Sequence, residues 1–244
     1  MRLTQPYDRT VHRALRTVPH YRERYAATGT LPPLTRDEAR LRRHLLMPLD
    51  AALLPRRDPG RPPRDHVAEL REALRIAGHP VRGVDVYEVA RSLRDPVRAY
   101  GTTWRVLLDA TAETDGGPTR RALPEGPALV VGDPGWADGP YPDGVVGVAR
   151  FGLAAAAVAP PAPGSLWYEP WLGYLGAVAP DCGELHLDTA RVHARALDGS
   201  TVLTLLRRRR PTFVHAEPEG GGAFRPERCP RHGGPVLRPV RSPR

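Results

Sequence analysis

The chain has 244 residues, 41% of them hydrophobic, with a formal charge of +9, two cysteines, and arginine for every one of its 36 Lys+Arg positions. That length and apolar content suffice for one large core or two small ones. The absence of lysine excludes Schiff-base chemistry, a phosphate-loop lysine and a lysine clamp on a developing phosphoanion. No apolar run approaches a bilayer span and the first residues lack a secretory h-region, so a cytoplasmic protein with reduced thiols and no membrane is expected.

The first third reads as helical. Tyr7, Val11, Leu15 and Val18 recur at helical spacing, Pro19 interrupts that ladder or starts a new helix with Tyr21 and Tyr25 on one face, and Gly29 ends it. Thr35 and Glu38 form a capping box for a helix through Leu46. After a Pro/Arg/Gly-rich linker at 55–63, Val67, Leu70, Leu74 and Ala77 make the stripe of another helix, with Asp65 as its cap and Gly78 as its stop. Val86, Val89 and Leu93 predict one more short helix.

From about Tyr100 the apolar runs shorten and fill with valine and leucine, which predicts strands over 104–108, 128–131, 145–148, 184–187, 192–197, 202–206 and 212–215. Asp198-Gly199 is a hairpin turn. The expected fold is α+β: a helical region over 1–99, a mixed or mainly antiparallel β region over 100–217, and a Gly/Pro/Arg-rich tail over 218–244 held by Cys229 and His232. Trp167, Tyr168, Trp171, Leu172, Tyr174 and Leu175 form the densest aromatic cluster, read as core or as the wall of an acyl pocket.

Each cysteine precedes a histidine, Cys182 before His186 and Cys229 before His232. Thiolate and imidazole are the ligands tetrahedral zinc favours, and two short-spaced pairs brought together by a fold make a structural site. The competing reading makes Cys182 a buried thiol and leaves His232 in a loose tail. Arg207 to Arg210 invite a nucleic-acid reading, but no aromatics interleave with them and no recognition helix accompanies the cysteines, which favours a solvated strand end.

Several segments resemble the phenylacetate-CoA ligase-like adenylate-forming family. The opening resembles it in Val18-Pro19-His20-Tyr21-Arg22-Glu23-Arg24-Tyr25 followed by Leu31-Pro32-Pro33-Leu34-Thr35. The stretch 111–119 is similar to the family's phosphate loop, with Thr111, Thr114, Gly116, Pro118 and Thr119 matching and Gly117 beside them. Tyr168-Glu169, Cys182 with His186, Thr204-Leu205 with Pro211, and Cys229 with His232 follow the family's order. The resemblance implies a shortened adenylate-forming N-terminal domain. It implies an ATP site at Thr111, Thr114, Gly116, Gly117 and Thr119, a magnesium-holding role for Glu169, and zinc at the Cys/His pairs. It also implies a carboxylic acid, CoA thioester or carrier protein as partner.

The departures from the family pattern bear on activity. Glu113 and Asp115 set two carboxylates against a polyphosphate, which disfavours ATP and its magnesium. Thr212 to Glu217 replace the ribose-binding motif without its aspartate, the span from the loop to Tyr168 is short, and the lid lysine is missing with every other lysine. The expectation is a catalytically impaired member acting beside carboxylate activation in biosynthesis. The alternatives are a non-enzymatic zinc-stabilised basic module that binds nucleic acid or an acidic protein, and a ligase completed by a partner subunit.

Overall fold

The computed structural model describes residues 5–49, 64–90, 96–99, 101–108, 126–208 and 210–240. The linker at 55–63 and the loop-like stretch 111–119 lie outside them, as do Leu93 and Arg209.

The helical opening forms as its spacing predicts. α1 (Gln5–Thr17) and α2 (Pro19–Thr28) meet at Val18, and α2 stops where Gly29 turns left-handed at φ 69°. Thr35 accepts from the Glu38 N–H at the start of α3 (Arg36–Leu41), and a separate 3₁₀ turn (Arg43–Leu46) replaces the expected continuation of that helix. In α4 (Arg64–Ile76) the stripe Val67, Leu70 and Leu74, continued by Ala77, is buried as expected, whereas Asp65 lies inside the first turn instead of capping it.

Ten strands form one sheet. Naming them in chain order, β1 (Asp85–Ala90), β2 (Val97–Ala99), β3 (Thr102–Leu108), β4 (Ala128–Gly132), β5 (Val145–Phe151), β6 (Leu166–Glu169), β7 (Gly173–Val178) and β8 (Leu185–Leu187) are joined by β11 (Phe224–Arg228) and β12 (Pro235–Pro239). The order across the sheet is β11-β12-β8-β7-β6-β5-β4-β1-β3-β2. β3, β1, β4, β5 and β6 run parallel, while β2 at one side and β7, β8, β12 and β11 at the other are antiparallel. The architecture is α+β with a mixed sheet. β9 (Val192–Leu197) and β10 (Ser200–Leu205) form a separate hairpin, turned at Asp198 (φ 50°) and Gly199 (φ 80°) as the Asp-Gly pair predicts.

The structure corrects three sequence expectations. Val86 and Val89 belong to strand β1, not a helix: Tyr87 and the two valines suit a pleated surface, and burial on both faces erases the alternation that marks a strand. Residues 212–215 make no strand, only passing through the core beside single bridges from Ala216 to Leu34 and to Leu203. The stretch beyond Pro218 is not held by Cys229 and His232 alone, because β11 and β12 pair over five residues and β12 continues the sheet through β8.

Two larger cores result. One joins the helices α1 to α3 to β7, β8, β10 and Phe213; the other packs α4 on Val86, Trp104, Leu129, Val131 and Tyr174. Alternation along β1 therefore turns Val86 and Glu88 toward α4, and Tyr87 and Val89 toward the short helix α5 (Pro134–Ala137) on the opposite face. No helix among the described residues is long and apolar enough to cross a membrane.

Candidate metal centre and sheet-edge crevice

The four Cys/His residues come together by strand pairing. Cys182 sits in the turn from β7 to β8, where Gly183 (φ 69°) donates to the Ala179 carbonyl at 2.8 Å, and His186 is the central residue of β8. Cys229 and His232 occupy the turn from β11 to β12, closed by Cys229 N–H to Gly234 O and Gly233 N–H to Cys229 O, each 2.8 Å. The β12–β8 register pairs Val236 with His186 and so lays one turn over the other.

All four ligand atoms lie within 4.8 Å of one another. Cys182 Sγ is 3.2 Å from His186 Nε2, Cys229 Sγ is 3.4 Å from His232 Nδ1, and the two ring nitrogens are 3.4 Å apart. Ligands on a tetrahedral zinc ion are separated by about 3.4–3.8 Å, given metal–nitrogen and metal–sulfur bonds near 2.0 and 2.3 Å. The quartet can therefore bind a metal ion with little movement. Asp181 Oδ2 lies 2.8 Å from His232 Nε2, the carboxylate support that fixes a ligating imidazole. Burial pushes the Cys182 thiol up, while at Cys229 burial is outweighed by the N–H groups of His232 and Arg231, which hold that thiol below its ordinary range.

A second feature lies where the parallel strands end. The strand order places a crevice of about 730 Å³ at the carboxyl ends of β1, β4, β5 and β6, the position where open α/β sheets receive ligands. Glu169, singled out from the sequence as a functional acid or a surface carboxylate, borders this crevice but is 3% exposed. Its Oε1 accepts from the Leu153 N–H and from Trp167 Nε1, both at 2.9 Å. Burial raises its pKa, with those two donors opposing.

The strongest polar construction on the crevice wall escaped the sequence reading. Glu88, 4% exposed, receives His66 Nε2 at 2.7 Å and Trp104 Nε1 at 3.0 Å on one oxygen. Its other oxygen receives the Tyr174 hydroxyl at 2.9 Å and Arg150 Nη1 at 3.4 Å. Burial alone would raise this carboxyl, but His66, Tyr174 and Arg150 outweigh it and hold Glu88 below the usual carboxylate range. Arg150 also donates to Asp133 at 3.1 Å and lies over the Tyr168 ring at 4.9 Å. The one signal for Glu88 in the sequence is an acid inside the apolar run Asp85 to Ala90, where the spacing of Val86, Val89 and Leu93 fits a helix as well as a strand.

The aromatic cluster divides. Trp167, Leu172, Tyr174 and Leu175 are buried core, Trp171 meets Phe213 edge-on, and Tyr168 lines the crevice. The phosphate-loop-like residues Thr111, Thr114, Gly116, Gly117 and Thr119 lie outside the described residues. Comparison with protein-family models, with curated proteins and with solved structures finds no match to this chain.

Proposed function

We propose that this chain is a shortened relative of the phenylacetate-CoA ligase-like adenylate-forming proteins, impaired as a ligase and acting beside carboxylate activation. Its ligand is a carboxylic acid, a CoA thioester or an acylated carrier protein, bound at the carboxyl edge of the sheet. The observation that carries the impaired reading is the state of Glu169. Its Oε1 is taken by Leu153 N–H and Trp167 Nε1, and burial raises its pKa, both of which weaken it as a magnesium ligand. The absence of lysine adds the loss of a preorganised cation for the adenylation step. In this reading ATP and magnesium are not cofactors, zinc at Cys182, His186, Cys229 and His232 is structural, and the compartment is the cytoplasm.

Carboxylate-dependent exchange of pyrophosphate into ATP tests this. The purified protein is expected to exchange no faster than a protein-free control over a panel of aryl and acyl acids, and robust exchange overturns the proposal. Exchange restored by a co-purifying, lysine-bearing subunit would favour the partner-completed ligase instead. The basic-module reading is weakened by Arg208, which is held by both Glu69 oxygens at 2.8 and 2.9 Å and so is withdrawn from a nucleic-acid face. Binding to DNA or RNA that falls steeply with salt would revive it.

A further inference from the structure

His66 and Glu88 are arranged as a carboxylate–histidine dyad, and neither belongs to the segments that carry the family resemblance. His66 Nε2 lies 2.7 Å from a Glu88 oxygen, so in the neutral ring a proton donated to the carboxylate sits on Nε2 and Nδ1 is the nitrogen left to accept one. The carboxylate is itself fixed by Trp104 and Tyr174, whose rings pack edge-on and tilted against the imidazole. His66 lies in the first turn of α4 and lines the crevice with its side chain 14% exposed. Orientation by a buried carboxylate beside an accessible pocket is the arrangement of a general base.

The lining also constrains the ligand. Among its described residues the cations Arg36 and Arg150 are already paired, Arg36 with Glu219 at 3.4 Å and Arg150 with Asp133 and Glu88. A polyphosphate or free carboxylate would compete for those two arginines with the lining acids Glu88, Asp133 and Glu219, whereas Val89, Ala90, Phe151 and Ala155 offer apolar wall. The described lining holds no serine, threonine or cysteine, and among the described residues His66 is the group placed to activate a water.

We propose that His66, positioned by Glu88, is a general base that hydrolyses a neutral acyl ester or thioester seated in this crevice. His66 Nδ1 takes a proton from water as the water oxygen bonds to the acyl carbon. The bond from that carbon to the leaving oxygen or sulfur then breaks, and the proton passes from His66 to the departing group. The products are a carboxylic acid and an alcohol or thiol, with His66 returned to its neutral form.

Full-length wild type, His66→Gln and His66→Asn are compared for hydrolysis of p-nitrophenyl acetate and p-nitrophenyl butyrate, after circular dichroism establishes that each is folded. Glutamine can keep an amide donor near the Nε2 position for Glu88, and asparagine removes it. The expected loss is about a hundredfold in kcat, the lower end of a general-base contribution. For Glu88→Gln the expected signature is a lower kcat at similar KM, with ¹⁵N shifts showing His66 moving from the Nε2–H tautomer to a mixture. A folded His66 variant that retains the wild-type rate overturns the proposal, as does a wild type no faster than free imidazole or an Nδ1–H tautomer in the wild type. ATP exchange does not read this step, so the proposal and the impaired-ligase reading fail separately.

Discussion

His20 shows what a single side chain costs when the fold buries it without a partner. It is 1% exposed and neither ring nitrogen has a hydrogen-bond partner. A buried unsatisfied polar group costs about 1–3 kcal/mol, so His20→Leu is expected to raise the melting temperature by about 2–4 °C. Burial, with Arg24 and Arg42, also lowers the His20 pKa from its ordinary 6.5. Below that value the unfolded chain takes up the proton first, so this contribution to stability is complete above pH 6.5 and is lost as pH falls through the depressed native value. His193 and His215 are lowered by burial in the same direction. Urea midpoints should therefore drop between about pH 7.5 and 5.5, less steeply in His20→Leu; an unchanged slope would remove His20 from the account. At the metal centre, Cys182→Ser or Cys229→Ser is expected to take bound zinc from about one per chain to near none by elemental analysis. Metal retained by both variants would leave the quartet without a role. The Cys/His pairs were legible because ligand chemistry is written in residue type and local spacing. The Glu88 cluster was not, since its members come from α4, β1, β3, β5 and β7.

Turns and close approaches decide how elements respond to change. Gly199 has φ 80° and open space around a built Cβ, so Gly199→Ala pays only for backbone conformation, about 1 kcal/mol. Gly147 on β5 lies directly beneath α5, and a Cβ there would overlap the Ala137 carbonyl. Gly147→Ala should cost about 3 kcal/mol, because main chain rather than a rotatable side chain must move. Urea midpoints of the two variants check the order, which should not invert. The same contrast explains what the sequence revealed about elements. The Asp198-Gly199 hairpin, the Thr35 cap and the α4 stripe are local codes, read from a few neighbouring residues. β1 was misread and β6, β7, β11 and β12 were not anticipated, because a strand buried on both faces or built around Pro226, Pro235 and Pro239 carries no period of two.

At the scale of the molecule, the β11–β12 hairpin pairs with β8 through two residue pairs, while a metal ion held by Cys182, His186, Cys229 and His232 would bridge the adjoining turns. Chelation is therefore expected to lower amide protection selectively in β11, β12 and the turn around Cys182, and to leave β1 and β4 protected. Hydrogen exchange with and without chelator checks this, and uniform loss of protection would mean that the metal supports the whole fold. The parallel strands at the sheet centre depend on burial instead, since every residue of β4 is buried. Composition and local spacing by themselves determined the α+β class, the helical opening, the hairpin turn, the lack of lysine chemistry and the Cys/His pairs that could hold a metal. These follow from residue identity and from contacts within a few positions. Only the tertiary structure decided that five strands run parallel, that a crevice opens where four of them end, that Glu169 is buried at its wall, and that His66 and Glu88 meet. Each is a pairing across tens of residues, chosen by which faces the whole core can bury together, and no short window of sequence contains that choice.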